Sequence, residues 1–189
     1  MRADAVRNKK LIVQAAQEVF ATAGLAAPID EIARRAGVGT GTLYRHFPTK
    51  EALFEAVVIG RVEELVVEAR RLLAGNDAKT AFFKLLSQMV LHGDGHKDLI
   101  DALGKQSFDL HRAVPGMLAE MWNAVGQLLE QAQQAGTVRR DVHLSHVQAL
   151  VSAACTAIDQ QGGGDGLDRV VWTVISDGLR PKRQGHDSG

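Results

Sequence analysis

The chain has 189 residues, of which 46% are hydrophobic and 23% are charged, and this composition excludes a largely disordered protein. Its one cysteine, Cys155, excludes a disulfide within a single chain and suits a reducing compartment. No segment reaches the ~18 consecutive apolar residues of a membrane span, and the charged N-terminal segment lacks the apolar stretch of a signal peptide. We therefore expect a cytoplasmic protein.

Apolar residues recur at helical spacing along nearly the whole chain, and no segment alternates like a strand. Glycine and proline mark most of the breaks between these segments. The pattern predicts an all-α fold of about nine helices. They span about 5–23, 29–36, 40–46, 50–75, 77–91, 98–111, 115–135, 143–159 and 167–179.

Charge is distributed unevenly, although the net charge is zero. Residues 1–50 carry eight Lys or Arg and four Asp or Glu, which leaves a net charge of +4, and residues 51–189 therefore carry −4. This difference indicates that only the N-terminal part binds a polyanion such as nucleic acid. A chance imbalance of this size is the alternative.

A tight turn, Gly37-Val38-Gly39, joins the second and third predicted helices, as in a helix-turn-helix. At ~100° per residue, Leu43 and Phe47 share the buried side of the third helix. The outward stripe combines small, hydroxyl-bearing and cationic residues, which suits a DNA major groove. A helical hairpin with a solvated face is the alternative. The outward stripe consists of Thr40, Gly41, Tyr44 and Arg45, with Thr42 and His46 on its flank.

Residues 29–58 resemble the DNA-binding signature of the TetR family (tetracycline-repressor-like regulators). About a dozen positions at fixed spacing carry this resemblance, which extends over roughly residues 8–60. They are Ile32-Ala33, Ala36-Gly37-Val38, Gly41-Thr42-Leu43-Tyr44, Phe47 and Lys50-Glu51-Ala52-Leu53.

The resemblance implies a homodimeric repressor that leaves a palindromic DNA operator when a small molecule binds. It also implies a DNA-binding domain over 1–50 and a sensor and dimerisation domain over 51–180. The polar composition from Pro181 onwards predicts a disordered tail over 181–189. Tyr44 and Lys50 correspond to the family's phosphate contacts. The base-reading positions correspond to Thr40, Gly41 and Arg45, and the flanking contacts to Thr42 and His46.

The chain departs from the family pattern at two helix starts. Pro28 stands where the family often has a threonine that caps the second helix, and we expect Asp30 to assist there. Gly39 stands where the family usually has a serine or threonine at the start of the third helix. Glycine is a tolerable cap but has no hydroxyl, so we expect one phosphate contact to be missing.

The effector pocket is predicted from large adaptable side chains and from polar residues on mainly apolar segments. For each of these residues, an ordinary place in the core or on the surface is the alternative. The cluster of Trp122, Asn123 and Gln127 is the first place to look. The candidates are Gln88, Met89, His92, Phe108, Met121, Trp122, Asn123, Gln127 and His146.

The last two predicted helices each carry an apolar face, which predicts that they form the dimer interface. Burial of both faces within one subunit is the alternative. The predicted interface consists of Leu144, Val147, Val151, Ala154, Ile158, Val170, Val171, Val174 and Ile175.

The sequence gives little support for a metal site or for a catalytic site. His92 and His96 could hold a metal ion, but the glycines between them predict a loop. Neither a nucleophile elbow nor a phosphate-binding loop is present. We therefore predict no catalytic residue, no metal, no cofactor and no membrane partner. An enzyme or small-molecule carrier with a structural N-terminal module, and a pure interaction protein, are the competing hypotheses.

Overall fold

A computed structural model describes residues 2–23, 27–75, 77–91, 114–160 and 166–181. Within these ranges the chain forms eight α-helices and no strand, which confirms the all-α prediction. The predicted helix at 98–111 lies outside the described residues. The helices are α1 (Arg2–Ala23), α2 (Ile29–Arg35), α3 (Thr40–His46), α4 (Lys50–Ala74), α5 (Ala81–Leu91), α6 (Pro115–Gln134), α7 (Leu144–Gln160) and α8 (Leu167–Leu179).

The turn between α2 and α3 is fixed by backbone hydrogen bonds. Gly37 has φ +68°, a left-handed conformation that glycine adopts without a steric penalty. Its N–H donates to the Arg34 carbonyl at 3.2 Å, and the Val38 N–H donates to the Ala33 carbonyl at 3.0 Å. These two bonds form a Schellman motif, which ends α2 and sends the chain directly into α3.

The long helix α4 connects the N-terminal helices with the rest of the molecule. Thr49 caps it, since its Oγ1 accepts a hydrogen bond from the Ala52 N–H at 3.1 Å. Over 25 residues the helix is about 37 Å long. It packs against α1, where Phe20 meets Phe54 edge-on at 5.6 Å, and against α5 and α6. One continuous core therefore runs from α1 to α8.

The last helix, α8, packs against α5. We call helices α5 to α8 the body. Trp172 on α8 meets Phe83 on α5 edge-on, with ring centres 6.4 Å apart. The Arg180 guanidinium lies 4.7 Å from the centre of the same Phe83 ring. The Arg139 N–H, in the loop after α6, donates to the Leu179 carbonyl at 2.9 Å. The end of α8 is thus tied to both α5 and the α6–α7 loop. None of the helices in the described ranges is both long and apolar enough to cross a membrane.

Candidate nucleic-acid interface

Helix α3 turns its apolar side inward and its polar side outward. Leu43 is 1% exposed and Phe47 is 4% exposed, so the predicted buried side is confirmed. On the opposite side, Gly41, Tyr44 and Arg45 are exposed, and the exposed fraction of Tyr44 reaches 47%. The short helix thus presents a glycine, a phenol and a guanidinium to solvent on one face.

The remaining predicted contact residues lie along the edges of this face. Thr40, Thr42, His46 and Lys50 are all half-buried. The His46 ring packs against Phe47 with centres 6.4 Å apart, which holds it at the C-terminal end of α3. Lys50 is the first residue of α4. Six of the seven predicted DNA-contacting residues therefore lie on α3, and the seventh, Lys50, begins the next helix.

The two glycines at the start of α3 leave its outer surface open. A Cβ built on Gly41 would meet no atom within 4 Å, so packing in the described structure does not require glycine there. Gly39 is the N-cap residue, and its carbonyl accepts from the Thr42 N–H at 2.8 Å. No side chain caps α3. The absence of a capping hydroxyl at this end agrees with the sequence, and the loss of a phosphate contact there stays a prediction.

Asp30 assists the start of α2 through its charge in the first turn and not through a capping hydrogen bond. Pro28 is the N-cap residue of α2, with extended φ and ψ and no side-chain cap. Asp30 does not cap this helix either, because its Oδ1 accepts a hydrogen bond from Thr40 Oγ1 at 3.1 Å. The tight turn after α2 brings the first residue of α3 beside the second residue of α2. The carboxylate therefore serves the contact between the helices.

Glu31 forms ion pairs with the two arginines at the end of α2. It accepts from Arg34 Nε at 2.9 Å and from Arg35 Nε at 2.7 Å. These hydrogen bonds, that of Arg35 first, hold the pKa of Glu31 below its usual range. Arg35 also reaches Glu18 on α1 at 3.6 Å. By contrast, Arg45 has no carboxylate within 4 Å among the described residues, so its charge is available to an anion.

Lys9 on α1 also lies near the end of α3, a position that its place in the sequence does not predict. Its Nζ lies 5.9 Å from the centre of the Phe47 ring, directly after the end of α3. Helix α1 thereby adds an exposed cation to the same end of the surface as His46. The signal in the sequence was the cluster of basic residues at the N-terminus, but helix spacing alone does not show that α1 meets α3.

The predicted effector residues divide into buried and exposed sets. Met89 and Met121 are each 5% exposed and belong to the core, and Trp122 is half-buried. Asn123 and Gln127 are exposed, because they lie on the side of α6 opposite the buried Met121. The predicted cluster of Trp122, Asn123 and Gln127 therefore does not line an interior site in the described subunit.

Two further polar candidates are engaged at the surface. Gln88 is half-buried and lies near Glu68. Hydrogen bonds from Arg71, and to a smaller extent the Gln88 amide, lower the pKa of the Glu68 carboxyl. His146 is exposed, and its Nδ1 accepts from the His143 N–H at 3.1 Å at the start of α7. Both side chains thus serve local contacts rather than an interior pocket. His92 and Phe108 lie outside the described residues.

The predicted dimer face of α7 was wrong, because that face packs inside the subunit. Val147, Val151, Ala154 and Ile158 are between 0% and 8% exposed, and Leu144 is half-buried. This face lies against α5, whose Met89 carbonyl accepts from the neighbouring Cys155 thiol at 3.7 Å. Burial raises the pKa of that thiol to about 11.

Part of the predicted dimer face on α8 is exposed to solvent. Val170 is 61% exposed and Val174 is 67% exposed, and Leu150 on the outer side of α7 is 37% exposed. Val171 and Ile175 are half-buried and pack on the core. We call Leu150, Val170 and Val174 the α7–α8 patch. Val170 and Val174 lie one turn apart on α8, and each of the three side chains is exposed in the described subunit.

Two known protein families match this chain, one in its N-terminal part and one in its C-terminal part. Residues 12–57 match a family described as bacterial regulatory proteins, tetR family. Residues 77–181 match the C-terminal domain of SbtR-like transcriptional regulators. The two matches together include the α2–α3 surface and the α7–α8 patch.

Individual relatives are similar over different lengths. A crystal structure of a TetR transcription regulatory protein from Mycobacterium vanbaalenii is 44% identical, with a TM-score of 0.73 over 95% of this chain and 99% of that one. The transcriptional regulator UidR from Escherichia coli K12 is 24% identical over 80% of this chain and 79% of its own. The transcriptional activator FasR from Mycolicibacterium smegmatis is 46% identical over 35% of this chain and 31% of its own.

Proposed function

Because this chain belongs to the TetR family, it is a DNA-binding transcriptional regulator and not an enzyme, and we propose that it is a repressor released from its operator by a small molecule. In this proposal residues 1–50 form the DNA-binding domain, and residues 51–180 form the sensor and dimerisation domain. The operator is a palindrome that one homodimer reads with two copies of α3.

The outward face of α3 is the observation that carries the proposal. Tyr44 and Arg45 are exposed beside Gly41, where nothing fills the space that a Cβ would occupy. A guanidinium reaches guanine O6 and N7 in the major groove, and a phenol hydroxyl donates to a phosphate oxygen. Lys9 near the C-terminal end of α3 and Lys50 at the start of α4 add cations close to this helix, which suits contacts with phosphate.

Dimerisation is supported by the α7–α8 patch. Its valines are more than half exposed, which is costly in water for a monomer and is normally a sign of an interface. A two-fold axis through this patch would place the two copies of α3 in equivalent positions, and a palindromic site follows from that symmetry.

For an effector bound in the body to release the protein from DNA, a change in the body must also move the DNA-binding helices. Helix α4 is the physical link, because it begins next to α3 and packs along α5 and α6. An ion pair between Arg70 on α4 and Glu120 on α6 joins the two at the surface. We expect the effector to bind in the body, where Met89 and Met121 supply adaptable apolar side chains.

The test is selection of genomic fragments with the purified protein, followed by transcription in vitro from the selected promoter. A repressor protects a palindrome that overlaps the promoter and lowers transcript yield, whereas an activator, as FasR is named, raises it. Arg45→Ala tests whether the α3 face reads the bases. The side chain is exposed, so its loss should relax sequence preference without unfolding the protein. Failure to enrich any fragment would contradict the proposal.

A further inference from the structure

A carboxylate lies beside the start of α3, on the surface assigned to DNA. Asp30 is exposed and bonds Thr40, the first residue of α3, at 3.1 Å. Its neighbour Glu31 is bound by two arginines, but Asp30 has no cation within 4 Å in the described ranges. Asp30 also lies in the first turn of α2, where the helix N-terminus stabilises a carboxylate, so the charge persists beside the α3 face.

We propose that Asp30 is a specificity-determining residue that accepts a hydrogen bond from the exocyclic amino group of a cytosine in each operator half-site. This inference rests on the proposed DNA-binding function. An ionised carboxylate has only acceptors, so it selects a donor. In the major groove the donors are cytosine N4 and adenine N6.

Cytosine fits the carboxylate better than adenine does. On the major-groove edge of adenine the amino group stands beside the acceptor N7, which repels a carboxylate oxygen. Cytosine presents N4 without an adjacent acceptor of its own. Guanine and thymine offer Asp30 only acceptors, so both are disfavoured at the position that it faces.

Thr40 acts here as a positioning residue. Its hydroxyl donates to Asp30, which fixes one carboxylate oxygen and leaves the second free for a base. The family resemblance makes Thr40 a base-reading residue, but its one hydroxyl proton is donated to Asp30. Thr40 therefore does not read a base without Asp30. The pair acts together as an acceptor at the edge of the α3 face.

The experiment is site selection from randomised half-sites with the full-length protein and three variants. Asp30→Asn keeps the size of the side chain and an oxygen for Thr40 but removes the charge. We expect its preference for cytosine at one position in each half-site to fall by roughly tenfold relative to the wild type. Asp30→Ser should lose the same preference.

Glu51→Gln is the matched charge control. Glu51 is exposed in the first turn of α4, so its change removes one negative charge near the same surface. It should raise affinity for all sequences alike and leave base preference unchanged. Thr40→Val should weaken the cytosine preference less than Asp30→Asn does, because it only loosens the carboxylate.

The outcomes separate this inference from the proposed function. A wild-type protein that selects no site contradicts DNA recognition itself. A wild-type protein that selects a palindrome, together with an Asp30→Asn variant that selects the same bases with equal strength, overturns only the role of Asp30. A change of preference in Thr40→Val with none in Asp30→Asn would assign base reading to Thr40 instead.

Discussion

The molecule presents two outward faces of opposite chemistry. The face of α3 exposes a glycine, a tyrosine and an arginine, and water solvates most of its polar atoms. The α7–α8 patch exposes two valines at 61% and 67%, together with Leu150. The first face is stable without a partner and needs one only for function, whereas the second is costly in water without one.

The partners of these two faces are identified by different kinds of observation. On α3 the type of residue matters, because a guanidinium and a phenol hydroxyl match particular atoms of DNA. On α7 and α8 the exposed apolar area matters, because hydrophobic contact has no direction and little specificity. Salt should therefore weaken the first contact strongly and affect the second little.

The largest expected effect comes from a charge placed in the α7–α8 patch. Val174→Asp would bury an unpaired carboxylate in a dimer interface, so we expect the dimer to dissociate. Sedimentation at micromolar concentration should change from twice the chain mass of 20.4 kDa to a single chain. Affinity for a two-half-site operator should fall by roughly a hundredfold or more, because each half-site is then bound independently.

Val67→Asp is the control for this variant. Val67 on α4 is exposed to a similar extent, 62%, but lies outside the α7–α8 patch. It should remain dimeric and bind the operator normally. A Val174→Asp protein that sediments as a dimer would contradict the interface, and a wild-type protein that sediments at 20.4 kDa would contradict dimerisation altogether.

An intermediate effect is expected at the phosphate contacts of the α3 face. Lys50→Ala and Tyr44→Phe each remove one such contact, so affinity should fall about tenfold for all sequences alike. The slope of log affinity against log salt should fall by ~1 for Lys50→Ala. Titrations of operator and random DNA at several salt concentrations measure both quantities. Unchanged affinity in both variants would mean that another face binds DNA.

The sequence was sufficient to predict the N-terminal part because the interactions there are local. Gly37 fixes the turn through bonds to residues within one helical turn, and Phe47, the C-cap of α3, lies one turn after Leu43. Such relations depend on spacing alone, so rotation about the helix axis predicted the buried side. Lys9 was missed because its contact with Phe47 joins residues that are distant in sequence.

In the body the same method predicted helices but chose the wrong partner for one face. The apolar stripe of α7 around Val147 and Ala154 is equally suitable for a second subunit or for α5. Periodicity shows that a face is buried but not which surface buries it, since that depends on the path of the chain. Asn123 and Gln127 are exposed for a related reason, because residue type alone does not set orientation on α6.

The smallest expected effect concerns the glycine on the α3 face. Alanine is favoured over glycine inside a helix by ~1 kcal/mol, and a Cβ at Gly41 would touch nothing within 4 Å. Gly41→Ala should therefore raise the free energy of unfolding of the free protein by up to ~1 kcal/mol. If α3 approaches DNA closely at this point, the added methyl group should lower operator affinity at the same time.

Gly60→Ala separates these two effects. Gly60 lies within α4, and a Cβ there would make ordinary contacts with Val13 and Gln17 of α1 at 3.9 and 4.0 Å. This variant should gain similar stability and bind DNA like the wild type, because it lies away from the α3 face. Thermal melts and gel-shift titrations of both variants decide the matter. If Gly41→Ala is more stable and binds the operator with unchanged affinity, the backbone of α3 does not approach DNA at Gly41, and the orientation derived from Leu43 and Phe47 must be rotated within the groove.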